Sequence, residues 1–478
     1  MKTVTALLLF LSILHFTGTA QVTEQDSLAL VAFYNSTGGP NWNNNSNWLT
    51  GPVSSWYGVT VEEGRVKKII LNSNNLSGTL PTDLGQLSAL TTIACSNDNG
   101  LTGEIPDELF QIGSLRQIGI GNCSLIGTIP NTIGNCSYLT ELNLPQNNLS
   151  GPIPPEIGNL DSLIFLDLHD NQLSGTIPPE LGNLDNLLEL HLNKNVLIGK
   201  LPVNLEGILD NARSSGYVIF DVSENQLTDS IPFSWANIEI LFAELDFSWN
   251  NFTDIPPWNG NWILNSLGLR GNKMTFEDIE PHFVGYSLFG YAPQQPMGDE
   301  IDTLLTIGES YWIYSGTAGE FTNYEWYHNN TQIAQGPGLD TLKFENISYA
   351  DTGVYFCYAT NTLVSELLLK RKDVHISIDT GVNINAYTIN ENMLKLYPNP
   401  TTGIFTLENT NLIPDSGYQL SITNSLGICV YNNPKAELSN DMVIDLSCLP
   451  AGIYLVVLKN NKQYFTQKLI INKRGTNR

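Results

Sequence analysis

Between residues 66 and 275 the string L-x-x-L-x-L-x-x-N-x-L-x-G-x-I-P keeps returning. Its clearest copies run from Leu139 to Pro154, Leu163 to Pro178 and Leu187 to Pro202, a step of 24 residues. In each unit two apolar positions alternate with residues of every other character: Ile69/Leu71, Ile93/Cys95, Ile118/Ile120, Leu142/Leu144, Leu166/Leu168, Leu190/Leu192, Phe220/Val222, Leu245/Phe247 and Leu267/Leu269. A period of two with one apolar face predicts a short strand in every unit, and therefore nine strands laid side by side. Three residues after the second apolar position come Asn74, Asn147, Asn171, Asn195, Asn225, Asn250 and Asn272. Buried polar groups persist when they are hydrogen-bonded, so this column is expected to turn inward onto neighbouring backbone as a self-satisfying ladder of amides.

A unit with one short strand cannot bury its apolar edge until another stacks on it, so the fixed period marks a leucine-rich repeat solenoid. The second half of each unit reads Gly78-Thr79-Leu80-Pro81, Gly103-Glu104-Ile105-Pro106, Gly127-Thr128-Ile129-Pro130, Gly151-Pro152-Ile153-Pro154 and Gly175-Thr176-Ile177-Pro178. This resembles the plant-type subclass of these repeats, found in plant receptor ectodomains and polygalacturonase-inhibiting proteins. The resemblance implies a second short strand after the Asn and a 3₁₀-like convex segment such as Glu180-Leu181-Gly182-Asn183-Leu184. The pattern loosens after Pro202: Asn204 to Gly216 stretches the interval from Leu197 to Leu227 to 30 residues.

Before the repeats, the apolar positions of Asp26 to Tyr34 predict a short helix covering the open end of the core, since a first unit otherwise exposes its interior. Trp42, Trp48 and Trp56-Tyr57-Gly58-Val59-Thr60 follow and resemble the amino-terminal cap of bacterial proteins with plant-type repeats. Val61 stands where the plant cap has a cysteine, so no cap disulfide is expected. The three tryptophans could stack on sugar rings, but their recurrence as a cap favours a cap core. Phe276 to Tyr291 reads as the opposite cap, and Pro293-Gln294-Gln295-Pro296 as a boundary.

Residues 297–379 contain Tyr324-Glu325-Trp326-Tyr327 and then Asp351-Thr352-Gly353-Val354-Tyr355-Phe356-Cys357. That order resembles an immunoglobulin-like domain, with Trp326 on the third strand and Tyr355 at the tyrosine corner. The partner cysteine expected near Tyr314 is missing, so Tyr314 is expected to pack on Trp326 instead. A polar linker spans 380–392. Beyond it, Tyr397-Pro398-Asn399-Pro400-Thr401-Thr402-Gly403 and Leu449-Pro450-Ala451-Gly452-Ile453-Tyr454 resemble the carboxy-terminal sorting domain of the type IX secretion system of Bacteroidota, over 393–478. The resemblance implies a small β-sandwich read by the outer-membrane secretion machinery.

The fold expected is thus an α/β-type leucine-rich repeat solenoid, mostly short parallel strands with 3₁₀ convex segments, followed by two small all-β sandwich domains. Residues 1–20 read as a signal peptide, 21–65 as the first cap, and 66–292 as the solenoid with its second cap. Lys2, the apolar run Ala6 to Phe16 and Gly18-Thr19-Ala20 carry the signal-peptide reading. No stretch reaches the roughly 18 apolar residues of a membrane-spanning helix.

The net charge of −25 argues against nucleic acid, whose phosphates would be repelled. Of the six cysteines, Cys95, Cys123 and Cys136 fit positions of the repeat. Bridges between Cys123 and Cys136, or between Cys429 and Cys448, stay open, because connectivity cannot be read from sequence.

Chemistry is sparse. No G-x-S-x-G, H-E-x-x-H, C-x-x-C or phosphate-cradling loop occurs, and neither a cofactor nor a catalytic residue is assigned. Strand-borne Asp167, His191 and Asp221 should stand side by side; such a row could hold a divalent metal, but mixed charge on an exposed face is ordinary for this fold, and no metal site is assigned. The concave face is better read as a surface for a protein or glycan partner, with Phe165, Asp167, His169, Asp170, Glu189, His191, Lys194, Asp221 and Trp249 as contacts and Phe165 and Trp249 as anchors. The expected function is recognition by a secreted or surface-attached protein. A structural or adhesive scaffold, or a carbohydrate-active or metal-dependent hydrolase using the acidic row, are the alternatives.

Overall fold

The computed structural model describes residues 22–211, 215–238, 241–257, 263–282, 289–379, 394–409, 417–425, 428–436, 441–459 and 464–473. The expected signal peptide and the 380–392 linker lie outside them. The chain divides into two compact units, Met1–Ile378 and Asp379–Arg478.

In the first unit each repeat gives one strand to a parallel sheet: Arg65–Ile70, Thr92–Ala94, Gln117–Gly119, Glu141–Asn143, Phe165–Asp167, Glu189–His191, Val218–Asp221, Leu241–Asp246 and Ile263–Gly268. Val59–Glu62 closes one end of the sheet antiparallel and Phe289–Gly290 the other in parallel. The nine apolar pairs all point inward with at most 2% exposure. Burying each such side chain contributes about 1.5–3 kcal/mol, but only once the next coil covers it.

The chain leaves each strand through a turn and forms a second parallel sheet of eight strands, from Ser77–Thr79 to Asn251–Asp254. The glycine of the repeat motif lies at or next to the end of this strand: Gly151 has φ 76°, and a Cβ there would lie 2.8 Å from Thr128 Cγ2 of the preceding coil. Proline then opens a short 3₁₀ segment, as at Pro155–Asn159 and Pro179–Asn183. The longer repeat adds the helix Glu206–Asp210 after its 3₁₀ turn Val203–Leu205.

The asparagine column is buried throughout, between 0 and 9% exposed. As expected, it turns inward and bonds the backbone of neighbouring turns. Asn171 Nδ2 donates to the Leu144 and Leu168 carbonyls at 3.0 and 3.1 Å, and its Oδ1 accepts the Leu149 amide at 3.0 Å. Each amide thus closes its own turn and ties it to the preceding coil, because main-chain groups lie nearer than the next asparagine 24 residues away.

The helix Glu24–Ser36 caps the amino-terminal end, anchored by Asp26, which accepts Arg65 Nε and the Val66 amide at 3.0 and 2.8 Å. Trp42, Trp48 and Trp56 are buried and pack on one another, with centroids 4.9 and 4.8 Å apart, so they form the cap core and offer no sugar platform.

At the other end Pro293-Gln294-Gln295-Pro296 belongs to the last coil. Gln294 is buried in line with the asparagine column: its Oε1 accepts the Met274 amide at 3.3 Å and its Nε2 donates to the Leu269 carbonyl at 2.8 Å. It stands three residues after Tyr291 and donates to that carbonyl, as Asn272 does to Leu269. The hydrophobic core continues from the solenoid through Tyr291 and Met297 to Ile313 and Trp326. Thr317 Oγ1 accepts the Phe276 amide at 3.3 Å, and Glu277 Oε1 accepts the Ala318 amide at 2.9 Å.

Residues 301–379 form a sheet ordered Ile301–Thr306, Val374–Asp379, Gly353–Asn361, Thr322–His328 and Thr331–Pro337, antiparallel from Val374–Asp379 onward, opposite a two-stranded sheet of Tyr311–Tyr314 and Thr341–Phe344. Trp326 is fully buried and donates from Nε1 to the Leu339 carbonyl at 2.7 Å. Tyr355 donates its hydroxyl to the Asp351 carbonyl at 2.9 Å. Tyr314 does not replace the missing cysteine in the core: strand alternation turns Ile313 inward at 2% exposure and leaves Tyr314 at 47%.

The second unit has a three-stranded and a four-stranded antiparallel sheet around its own core of Phe405, Leu420, Ile422, Val456 and Leu469. All six cysteines are free thiols.

Candidate functional site

Parallel pairing places Phe165 beside Glu189 and Ile219, and Asp167 beside His191 and Asp221. The intervening Leu166, Leu190 and Phe220 point into the core, so the flanking side chains project from the opposite face. The row of Asp167, His191 and Asp221 is therefore real, and Asp246 extends it by one strand.

Its acids are mostly engaged. Asp167 is only 8% exposed; its Oδ1 accepts the His169 amide at 3.0 Å and lies 2.6 Å from His169 Nδ1. Asp221 and Asp246 likewise accept the amides of Ser223 and Ser248, at 2.9 and 2.8 Å. An aspartate that bonds the amide two residues on forms an Asx turn, so these carboxylates shape the exit of their strands. Asp167 accordingly holds His169 and is itself nearly buried. Burial pushes the Asp221 carboxyl up, and Asp246 adds to this; the Ser223 hydrogen bonds and His191 oppose it. Among the described residues no group of three or more His, Cys, Asp or Glu side chains could hold a metal ion.

The groups left outward form two clusters. In the first, the Phe165 ring lies 5.7 Å from His191, whose Nε2 is 3.6 Å from Glu189 Oε2. Glu189 Oε1 accepts the Tyr217 hydroxyl at 2.8 Å, and this bond raises the phenol pKa. Tyr217 is 41% exposed and escaped the repeat reading because it enters from the lengthened coil, outside the regular register.

The second cluster follows from a column of left-handed residues. Gln146, Asp170, Lys194, Glu224 and Trp249 all have φ between 52° and 57°. The conformation costs a non-glycine residue about 1–2 kcal/mol, and the asparagine that follows each of them locks the turn. Asp170 and Lys194 are thereby splayed into solvent at the rim of the sheet. Trp249 is held there at 53% exposure, its ring over Gly271, where a Cβ would come within 2.3 Å. Any side chain larger than hydrogen at Gly271 would displace the indole.

Residues 395–472 match the family described as the secretion system C-terminal sorting domain, and residues 65–87, 138–160 and 162–184 match the leucine-rich repeat. The chain therefore carries leucine-rich repeats and a type IX sorting domain, which indicates secretion or attachment at the outer cell surface. Among the described residues no helix is long and apolar enough to cross a membrane.

No curated protein matches the sequence. Among solved structures, a plant ice-binding protein is similar at 23% identity and a TM-score of 0.44, over 53% of this chain and 88% of its own. The Arabidopsis receptor kinase HAESA, in complex with a peptide hormone and a co-receptor, is similar at 24% identity and a TM-score of 0.45, over 59% and 51%. The plant peptide hormone receptor RGFR1 in complex with RGF2 is similar at 34% identity and a TM-score of 0.38, over 43% and 36%. The chain thus spans about half of the first receptor and about a third of the second.

Proposed function

We propose that the chain is a non-catalytic recognition protein, which takes a protein or glycan partner on the concave face of its repeats once outside the cell. The observation that carries this reading is Trp249, a half-exposed indole fixed by a left-handed turn and by Gly271. A large ring already immobilised loses little entropy on binding, which is why such residues dominate binding energies. Phe165, His191, Glu189 and Tyr217 supply a second, hydrogen-bonded anchor on the same sheet. Residues 297–379 are read as an immunoglobulin-like module, supported by buried Trp326 and the Tyr355 bond, and 393–478 as the segment engaged by the secretion machinery in a bacterium of the Bacteroidota.

A structural or adhesive scaffold is the second reading, favoured by the hydrogen-bonded seam between the 297–379 module and the last coil. The two are separated by screening the mature chain on a glycan array and against extracts of surface proteins. Binding that falls at least tenfold in both Trp249→Ala and Phe165→Ala, with unchanged thermal melting, supports recognition; the absence of any ligand whose binding falls in these variants overturns recognition at the concave face.

A further inference from the structure

We propose that the outer face of the two-stranded sheet Tyr311–Tyr314 and Thr341–Phe344 is a carbohydrate-binding platform, on which Trp312 and Tyr314 stack the rings of a neutral glycan chain. The site is separate from the concave face and independent of its reading.

The register pairs Trp312 with Lys343, Ile313 with Leu342 and Tyr314 with Thr341. Directly opposed residues share a face, so Trp312, Tyr314, Lys343 and Thr341 stand together on one side while Ile313 is buried on the other. Trp312 is 65% exposed and Tyr314 47%. The module does not lack room for aromatics, since Trp326, Tyr324 and Tyr355 are buried within it at 0, 2 and 1%. Two large rings are instead presented to solvent at alternate positions of one strand, about 7 Å apart along it.

Size and charge select the occupant. Two aromatic side chains at these exposures offer roughly 250 Å² of ring surface. A sugar ring fits that scale: its C–H face packs on an aromatic ring, and its hydroxyls need donors and acceptors at the edge. Lys343 and Thr341 stand opposite the two aromatics, and Asp340 and Glu277 are near enough to act on the Tyr314 phenol, whose pKa is raised first by burial and then by these two carboxylates. A chain of net charge −25 disfavours a polyanionic glycan.

The test is affinity electrophoresis of the full mature chain in gels containing laminarin, hydroxyethylcellulose, xylan or galactomannan. Retardation by at least one polysaccharide is expected, weakened at least tenfold in Trp312→Ala and Tyr314→Ala and retained in Trp312→Phe. Thermal melting checks that the variants fold, and Trp249→Ala is expected to leave retardation unchanged, so this platform and the concave face fail separately. Absence of retardation in every gel, or retardation indifferent to both alanine substitutions, overturns the proposal. Self-association in sedimentation that is abolished by Trp312→Ala would overturn it in favour of a second copy of the chain.

Discussion

Asp98 stands in the asparagine column of the second repeat, where its Oδ1 accepts the Leu76 amide at 3.0 Å while its buried Oδ2 has no hydrogen-bond partner. In the regular coils the second atom of this side chain is an amide nitrogen that donates to main-chain carbonyls, as in Asn147, bonded to the Ile120 carbonyl at 2.8 Å. Burial raises the Asp98 carboxyl above its ordinary value. The folded state therefore holds the proton more tightly, so the stability it contributes is full below the unfolded value and lost as pH rises through the folded one. Asp98→Asn is expected to stabilise the repeat domain by about 1–3 kcal/mol at neutral pH, the usual cost of an orphaned buried polar atom. Urea midpoints at pH 4 and 7 check this: the gain should shrink at the lower pH.

At the cap, Asp26 has the opposite sign. Burial alone would raise its carboxyl, but hydrogen bonds from Arg65, the Val66 amide and Thr23 outweigh this and hold it below the ordinary value. Its contribution is present above the unfolded pKa and fades as pH falls through the folded one. Arg65→Met strands a carboxylate whose side chain is 0% exposed, and is expected to cost about 3–5 kcal/mol by urea unfolding at pH 7.

Removing one rung of the column should cost more than its size suggests. Asn195 Nδ2 donates to the Leu168 and Leu192 carbonyls and its Oδ1 accepts the Leu173 amide. Asn195→Ala orphans buried groups on three strands or turns at once, and a loss of about 3 kcal/mol is expected. A shift confined to the tenths would contradict the column's role.

Thiol titration reads both compact units. Cys429 and Cys448 are exposed, whereas Cys95, Cys123, Cys136 and Cys357 are buried. Burial pushes Cys123 and Cys136 up to about 11 and Cys357 to about 12. Two thiols are expected to react rapidly in the native reduced protein and six in denaturant.

Export can be checked in a host with type IX secretion. Deleting 393–478 is expected to leave the chain in the periplasm, measured by fractionation; surface delivery of the truncated chain would refute the sorting role.

The solenoid was legible because its signal is redundant. Ile69, Leu142 and Leu190 are interchangeable answers to one demand repeated every coil, and the asparagines are a second, independent record of it. What could not be read has no such repetition. Asp98 and Gln294 fill the column without looking like it, since a carboxylate or a longer amide occupies the slot by geometry alone. The bond from Asp167 to His169 cannot be read from spacing, and Tyr217, which bonds Glu189, comes from the lengthened coil outside the regular register. Tyr314 and Trp312 were obscured for another reason: two residues out of phase with the expected cysteine are distinguished from core by a single step of strand alternation.

Stacked arrays ordinarily fray from their termini, where the outermost layer has a neighbour on one side only. Here Gln294 pins the final layer and Thr317 and Glu277 bolt it to the next module, while the Asp26 ion pair fastens the first. Each outermost layer is thus fastened on the side where no further coil stacks on it, the task a separate terminal cap performs in other arrays.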